Sequence, residues 1–126
     1  MQITFQTDYF KPMAGEESET NAGRYGKALA LWLATKLKER GVSIEGVIAE
    51  DFGWIVLVAR KPFLLWIGCG STDGSISEWS VFPIAEVGTI QRIFRRINPT
   101  AEIERLMAHL VDLVPSVPGV SNVVCE

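Results

Sequence analysis

The sequence predicts an α+β fold in which an antiparallel sheet packs against two main amphipathic helices. Four strand-like segments follow one another between about residues 42 and 83, with only turn-length breaks between them. Breaks of that length join antiparallel strands, because parallel neighbours need a crossover of a dozen or more residues. Apolar residues at helical spacing fill two longer stretches, about 24–40 and 100–114. We therefore expect a four-strand meander at the centre of the sheet.

Two different segments precede the first helix. Ile3 and Phe5 alternate with polar neighbours, which predicts an N-terminal strand added to the meander. The stretch 14–21 is polar, rich in glutamate and without apolar periodicity. It predicts a mobile, solvated loop.

Helical periodicity appears before and after the meander. In the stretch at about 24–40, an apolar stripe ends at Gly41, a natural C-terminal stop. In the stretch at about 100–114, an apolar stripe lies opposite a charged face and Pro115 ends it. Residues 90–97 also have apolar residues at helical spacing, which predicts a short helix. A twisted strand is the alternative for so short a segment.

The meander is predicted to have two central strands. Residues 54–59 and 63–69 are nearly continuous apolar runs, as is typical of buried strands. Gly53 suits the tight turn before the first of them, because glycine adopts positive φ without steric cost. Pro83 predicts that the fourth strand ends there as an edge strand. Residues 120–125 predict a last strand, which pairs with one edge or the other.

Composition is that of an ordinary globular domain. The 126 residues are 48% hydrophobic and 21% charged, and neither a linker nor a repeat divides them. We expect a single domain over 1–126. No apolar stretch reaches the roughly 18 residues that predict a membrane span, and the N-terminus does not resemble a secretory signal. The expectation is a cytoplasmic protein without a membrane partner.

Charge and cysteine content argue against several classes of function. A net charge of −3 makes nucleic acid an unlikely partner, since nucleic-acid binding normally needs a basic surface. Cys69 and Cys125 are the only cysteines and His109 is the only histidine, too few for the usual zinc site. Free buried thiols are the favoured interpretation of the cysteines. We predict no cofactor, no metal site and no catalytic residue.

The first break of the meander carries an acidic and aromatic motif, Glu50-Asp51-Phe52-Gly53-Trp54. Two interpretations stay open. Asp51 and Gly53 are structural turn residues, or Glu50 and Asp51 are exposed acceptors beside Trp54 that contact a partner.

The four tryptophans divide into two pairs by their positions in the predicted elements. Trp32 lies in the stripe of the first helix and Trp66 in a central strand, so both are expected in the core. Trp54 and Trp79 stand near strand ends, where a half-exposed ring can anchor a partner. We therefore include Trp54 and Trp79 among the candidate binding residues.

Arg92, Arg95 and Arg96 form a basic cluster in the short segment after the meander. Guanidinium groups on one helical face suit recognition of phosphate or carboxylate groups. A solvated face that balances the acidic surplus is the alternative.

Carboxylates near the hairpin ends form a further set of candidates. Consecutive hairpins place alternate turns at the same end of a sheet, so Asp51 and Asp73 are expected at one end, with Glu50 and Glu78 nearby. Carboxylates gathered in a cleft can share a proton or hold a divalent cation. The alternative function is therefore a small enzyme or a ligand- or cation-binding domain.

Four segments together resemble a group of small bacterial α+β proteins. They are residues 50–54, 66–70, 92–98 and 118–120. The group shares an acidic-aromatic hairpin and a strand that ends in tryptophan, glycine, cysteine and glycine. The resemblance covers most of the chain from Leu33 onward and implies a bacterial origin and one domain. It implies no activity and no catalytic residue.

These features favour a non-enzymatic binding module whose partner is another protein. Acidic turns and exposed aromatic rings on a compact scaffold suit a basic protein partner, as in the small acidic immunity proteins that neutralise bacterial toxins. Self-association as a homo-oligomer, through an edge strand or the face that carries Trp79, is a further alternative.

Overall fold

The computed structural model describes residues 1–126, apart from the side chain of Phe94. It has the predicted α+β fold, built from one six-stranded antiparallel sheet and four α-helices. The strands are β1 (Ile3–Gln6), β2 (Gly46–Glu50), β3 (Gly53–Ala59), β4 (Leu64–Ser71), β5 (Glu78–Glu86) and β6 (Ser121–Cys125). The helices are α1 (Glu16–Glu19), α2 (Lys27–Glu39), α3 (Thr89–Phe94) and α4 (Thr100–Leu113), and a 3-10 turn, Val114–Ser116, follows α4.

The predicted meander supplies four of the six strands of the sheet. The strand order is β2-β3-β4-β5-β1-β6, with every neighbouring pair antiparallel. β1 joins the meander beside β5, where Ile3 lies opposite Val81. β6 then pairs with β1, where Thr4 lies opposite Val124. Both terminal strands therefore extend the same side, and the edges of the sheet are β2 and β6.

Both long helices pack on the same face of the sheet, which we call the inner face. Alternate residues of the strands contribute to one apolar core with them, because successive side chains of a strand point to opposite faces. The inner strand residues are Ile3, Phe5, Trp54, Val56, Leu65, Ile67, Cys69, Trp79 and Val81. The helix residues buried with them are Leu29, Leu33, Leu37, Leu106, Leu110 and Leu113. Within the described residues, no helix combines the length and apolarity needed to cross a bilayer.

Two predicted elements begin later than expected. α2 starts at Lys27 rather than at 24, because Gly26 has a φ of 149°, which is incompatible with a helix. β2 starts at Gly46 rather than at 42. The amide of Val42 bonds to the carbonyl of Leu37 at 3.0 Å, so this residue closes the end of α2 instead of starting the strand.

The prediction that the fourth strand ends at Pro83 as an edge strand is wrong. β5 continues to Glu86 and lies between β4 and β1. The pairing with β1 reaches only as far as Val81. Beyond that residue β5 has a neighbour on one side only, and a proline is tolerated in such a segment.

The predicted loop at 14–21 contains a short helix and one buried residue. α1 forms there, and the carboxylate of Glu16 is buried, with 2% of its surface exposed. Its oxygens accept hydrogen bonds from the amides of Lys27 at 3.0 Å and Met13 at 2.8 Å. The first turn of a helix has free N–H groups, and Gly26 offers no side chain to cap them. Glu16 supplies that cap from outside the helix, with a charge that suits the positive end of its dipole.

Glu17 ties the segment before α2 to Tyr25 and Gly23. Its carboxylate accepts the hydroxyl of Tyr25 at 2.6 Å and the amide of Gly23 at 2.8 Å. Both bonds favour the charged carboxylate and lower the pKa of Glu17, the bond from Tyr25 most of all. The same bond raises the pKa of Tyr25.

We expect Tyr25→Phe to raise the pKa of Glu17 toward the ordinary glutamate value, because the strongest bond to the charged form is removed. In the wild type the pKa of Glu17 is lower in the folded than in the unfolded chain. The stabilisation from these hydrogen bonds is therefore fully present above the pKa that Glu17 has in the unfolded chain. It is lost as the pH falls through the pKa that Glu17 has in the folded chain. An NMR titration of the Glu17 carboxyl carbon measures this value. Tyr9→Phe removes a hydroxyl that makes no bond to Glu17 and serves as the control; equal titrations of both variants would contradict the assignment.

Candidate functional site on the outer face of the sheet

The face of the sheet opposite α2 and α4 carries apolar side chains over most of the meander. An antiparallel sheet with one solvated face normally places polar residues there. We call this surface the outer apolar face, and its residues are Ile48, Phe52, Ile55, Leu57, Leu64, Trp66, Phe82 and Ile84. The strand register places Ile48 opposite Ile55, Leu57 opposite Trp66, and Trp66 opposite Ile84. The cross-strand pairs thus make one continuous apolar surface.

Three aromatic rings lie in contact at the centre of the outer apolar face. Phe52 and Trp66 are stacked, with centroids 6.0 Å apart and planes at 27°. Phe82 completes the group, 5.7 Å from Phe52 and 6.2 Å from Trp66. Of the three, Phe52 is 37% exposed and the other two are partly exposed. The cluster therefore presents aromatic surface to solvent.

A glycine makes room for this cluster. Gly68 lies opposite Phe82 in the register of β4 and β5. A Cβ at Gly68 would stand 2.2 to 2.8 Å from carbons of the Phe82 ring. The ring therefore lies across the backbone of β4, an arrangement in which an aromatic side chain covers a strand glycine.

A groove of about 280 Å³ runs along the outer apolar face. Ile55 and Leu57 are buried in it, with Trp66 and Leu64 beside them, and charged residues stand at its rim. The charged residues are Glu50, Glu86 and Arg60. Glu86 accepts the indole N–H of Trp66 at 3.2 Å, and Arg60 lies 3.8 Å from Glu45 outside the groove. Among the described residues Glu50 has no ion-pair partner, so the rim carries an acidic surplus.

The two tryptophans predicted to be half exposed are in the core. Trp54 is 4% and Trp79 is 1% exposed, and the Trp79 indole N–H donates to the carbonyl of Thr7 at 3.2 Å. The ammonium of Lys27 lies 4.9 Å from the centroid of the Trp54 ring. Both tryptophans occupy inner positions of their strands, and that alternation decides burial, whereas nearness to a strand end does not. Neither ring is exposed as predicted, and the sheet face that carries Trp79 is the inner face, which the long helices cover.

The two tryptophans predicted to be in the core are partly exposed instead. Trp32 lies at the margin of the core, with its ring 5.7 Å from that of Phe10. Trp66 lies on the outer apolar face. None of the three aromatic residues clustered there, Phe52, Trp66 and Phe82, was among the predicted binding residues.

The carboxylate candidates do not form one site. Asp51 and Asp73 lie in turns at the same end of the sheet, and residues 21–25 contact both turns. The side chain of Asn21 donates to the carbonyl of Asp51 at 3.0 Å, and Gly23 lies against Gly74. Within the described residues no group of three or more histidine, cysteine, aspartate or glutamate side chains is placed to hold a metal ion.

The two glutamates of that set have separate environments. Glu50 lies at the rim of the groove. Glu78, on β5, accepts the side-chain amide of Gln6 at 3.0 Å. Of the four carboxylates, only Glu50 lines the groove.

The arginine cluster lies at the other end of the sheet. The segment is helical, as predicted, and the alternative of a strand is wrong. Arg92, Arg95 and Arg96 are all exposed, and among the described residues none has a carboxylate within ion-pair distance. Arg92 and Arg96 line a shallow concavity of about 400 Å³ with Asn98.

The two cysteines differ in environment. Cys69 is fully buried, and burial raises the pKa of its thiol, so it is held as the neutral thiol. Cys125 is exposed on the edge strand β6, which corrects the prediction that both thiols are buried.

Comparisons with protein-family models, with curated proteins and with solved structures give no match. The resemblance to small bacterial proteins, the bacterial origin and the cytoplasmic location stay predictions.

Proposed function

We propose that this chain is a non-enzymatic protein-binding module and that the outer apolar face is its binding surface. The observation that carries the proposal is the exposed cluster of Phe52, Trp66 and Phe82 on a sheet face that neither long helix covers. Contiguous exposed apolar surface is unfavourable in water and marks sites of association. Aromatic side chains also dominate the energetics of protein interfaces.

The partner expected at this surface is apolar with basic residues beside the apolar part. An aliphatic or aromatic side chain of the partner enters the groove between Trp66 and Leu64 and loses its contact with water. Lysine or arginine residues next to it meet Glu50 and Glu86 at the rim. Rim charges of this kind increase the association rate and the specificity more than the affinity, and salt screens them.

Selection of peptides from a random display library by the immobilised protein tests the proposal. We expect enrichment of peptides that combine large apolar residues with lysine or arginine. Trp66→Ala is expected to weaken the binding of an enriched peptide by about 30-fold or more, the effect of losing a central aromatic anchor. Glu50→Gln is expected to weaken it only a few-fold and only at low salt.

Val111→Ser is the matched control, because Val111 is an exposed aliphatic residue on α4, away from the outer apolar face. It should leave peptide affinity unchanged. Circular dichroism checks that each variant is folded. The proposal fails if enriched peptides bind the Trp66→Ala and Val111→Ser variants as well as they bind the wild type.

A further inference from the structure

α3 displays apolar and basic side chains that are not buried in their own chain. Ile90 is 69% and Ile93 is 62% exposed, and their spacing places them on one side of the helix. Arg92 belongs to the same helix, and Arg95 and Arg96 directly follow it. This surface combines the two features that the proposed partner needs, large aliphatic side chains and a basic surplus.

α3 is held at the end of the sheet, and neither Ile90 nor Ile93 lines the groove of its own chain. The side-chain amide of Gln91 donates to the carbonyl of Pro62 in the turn between β3 and β4, at 2.6 Å. The amide oxygen of Gln91 accepts the backbone N–H of Gly88 at 3.2 Å. Both bonds fix the helix beside the sheet with Ile90 and Ile93 directed to solvent.

We infer that the occupant of the outer apolar face is α3 of a second copy of this chain, and that two copies form a two-fold dimer. The inference rests on the proposed function, because it names the partner of that same surface. Ile90 and Ile93 of each copy enter the groove beside Trp66 of the other, and the arginines approach Glu50 and Glu86. A two-fold axis makes both contacts twice, since the surface of each copy carries both halves of the pair.

Charge favours this occupant over a random apolar partner. The groove rim has an acidic surplus, and the three arginines of the α3 region are without ion pairs among the described residues. Opposite charges are thus brought together across the contact in both directions. The dimer also removes from water two apolar surfaces that the single chain leaves exposed.

Analytical ultracentrifugation of the full chain from micromolar to near-millimolar concentration tests the inference. We expect a reversible dimer for the wild type and for the control Val111→Ser. A groove variant, Trp66→Ala, and a helix variant, Ile90→Ser/Ile93→Ser, should each weaken dimerisation by about 100-fold or more, because each change removes both reciprocal contacts. An equimolar mixture of the two variants should dimerise better than either alone, since a mixed pair keeps one intact contact.

The outcomes separate this inference from the proposed function. A wild type that stays monomeric overturns the dimer, while binding of library peptides that depends on Trp66 still supports the proposed function. A dimer that survives Ile90→Ser/Ile93→Ser, or two weakened variants that do not rescue each other, places self-association elsewhere, for example at the β2 or β6 edge, and also overturns the inference. Ile90 and Ile93 are exposed, so their replacement tests the contact without disturbing the core.

Discussion

Trp79→Ala is expected to lower the free energy of unfolding by about 3–5 kcal/mol, the cost of removing a large aromatic side chain from a packed core. The ring of Trp79 is 1% exposed and lies 6.0 Å from the ring of Phe10, edge to face. Its indole N–H also bonds to the carbonyl of Thr7. The variant therefore leaves both a cavity and a buried carbonyl without its partner. Urea unfolding followed by far-ultraviolet circular dichroism measures the loss.

Trp66→Ala is the matched control, because it removes the same side chain from the other face of the sheet. Trp66 is partly exposed, so much of its surface already contacts water. We expect a cost of no more than about half that of Trp79→Ala. Trp79→Phe should fall between them, since it keeps a six-membered aromatic ring in the core but loses the rest of the indole volume together with the N–H group. Equal losses for Trp79→Ala and Trp66→Ala would show that the two faces are equally buried and would remove the basis of the candidate site.

The tryptophans show where local sequence signals were sufficient and where they were not. Turn lengths and apolar runs predicted the order of the four meander strands and their antiparallel pairing, because both depend on neighbouring residues. The face to which each ring points follows from the alternation along the strand. Trp54 and Trp79 were assigned by their nearness to strand ends, and this weaker signal was misleading.

The exposure of the outer apolar face could not be predicted from the apolar runs alone. Residues 54–59 and 63–69 are apolar on both faces, which is the pattern of strands covered by helices on both sides. Both long helices pack on the inner face, so the second layer that this pattern implies is missing. The available signal was the count of helices, since two long helices that share one core leave one face of a sheet of this size without a cover.

Long-range contacts explain why the structure of the segment before α2 was not predicted from its sequence. Glu16 is buried because it caps a helix that begins 11 residues later in the chain. No periodicity or turn signal relates those two positions. Residues 21–25 likewise contact the turns of both Asp51 and Asp73, a contact that no local signal predicts, whereas the prediction that these turns share one end of the sheet followed from the hairpin order.

Gly26→Ala is expected to be among the most destabilising single substitutions, with a loss of about 3–5 kcal/mol in the free energy of unfolding. Gly26 has a φ of 149°, and a Cβ there would stand 2.5 Å from the carbonyl oxygen of Cys69. That oxygen belongs to β4, the strand between β3 and β5. The added methyl group must therefore displace backbone at the centre of the sheet as well as strain its own residue.

Two other glycines separate the cost of backbone strain from the cost of steric overlap. Gly41→Ala imposes a left-handed conformation, with a φ of 84°, but meets no atom within 4 Å, so we expect a cost of roughly 1–2 kcal/mol. Gly46 lies in a strand without a positive φ, and a Cβ there meets no atom within 4 Å. Gly46→Ala should therefore raise the free energy of unfolding by about 0.5 kcal/mol. Urea unfolding of the three variants should rank them in the order Gly26, Gly41, Gly46. If Gly26→Ala costs no more than Gly41→Ala, the chain before α2 does not lie against Cys69, and the close approach that joins this segment to the sheet is absent.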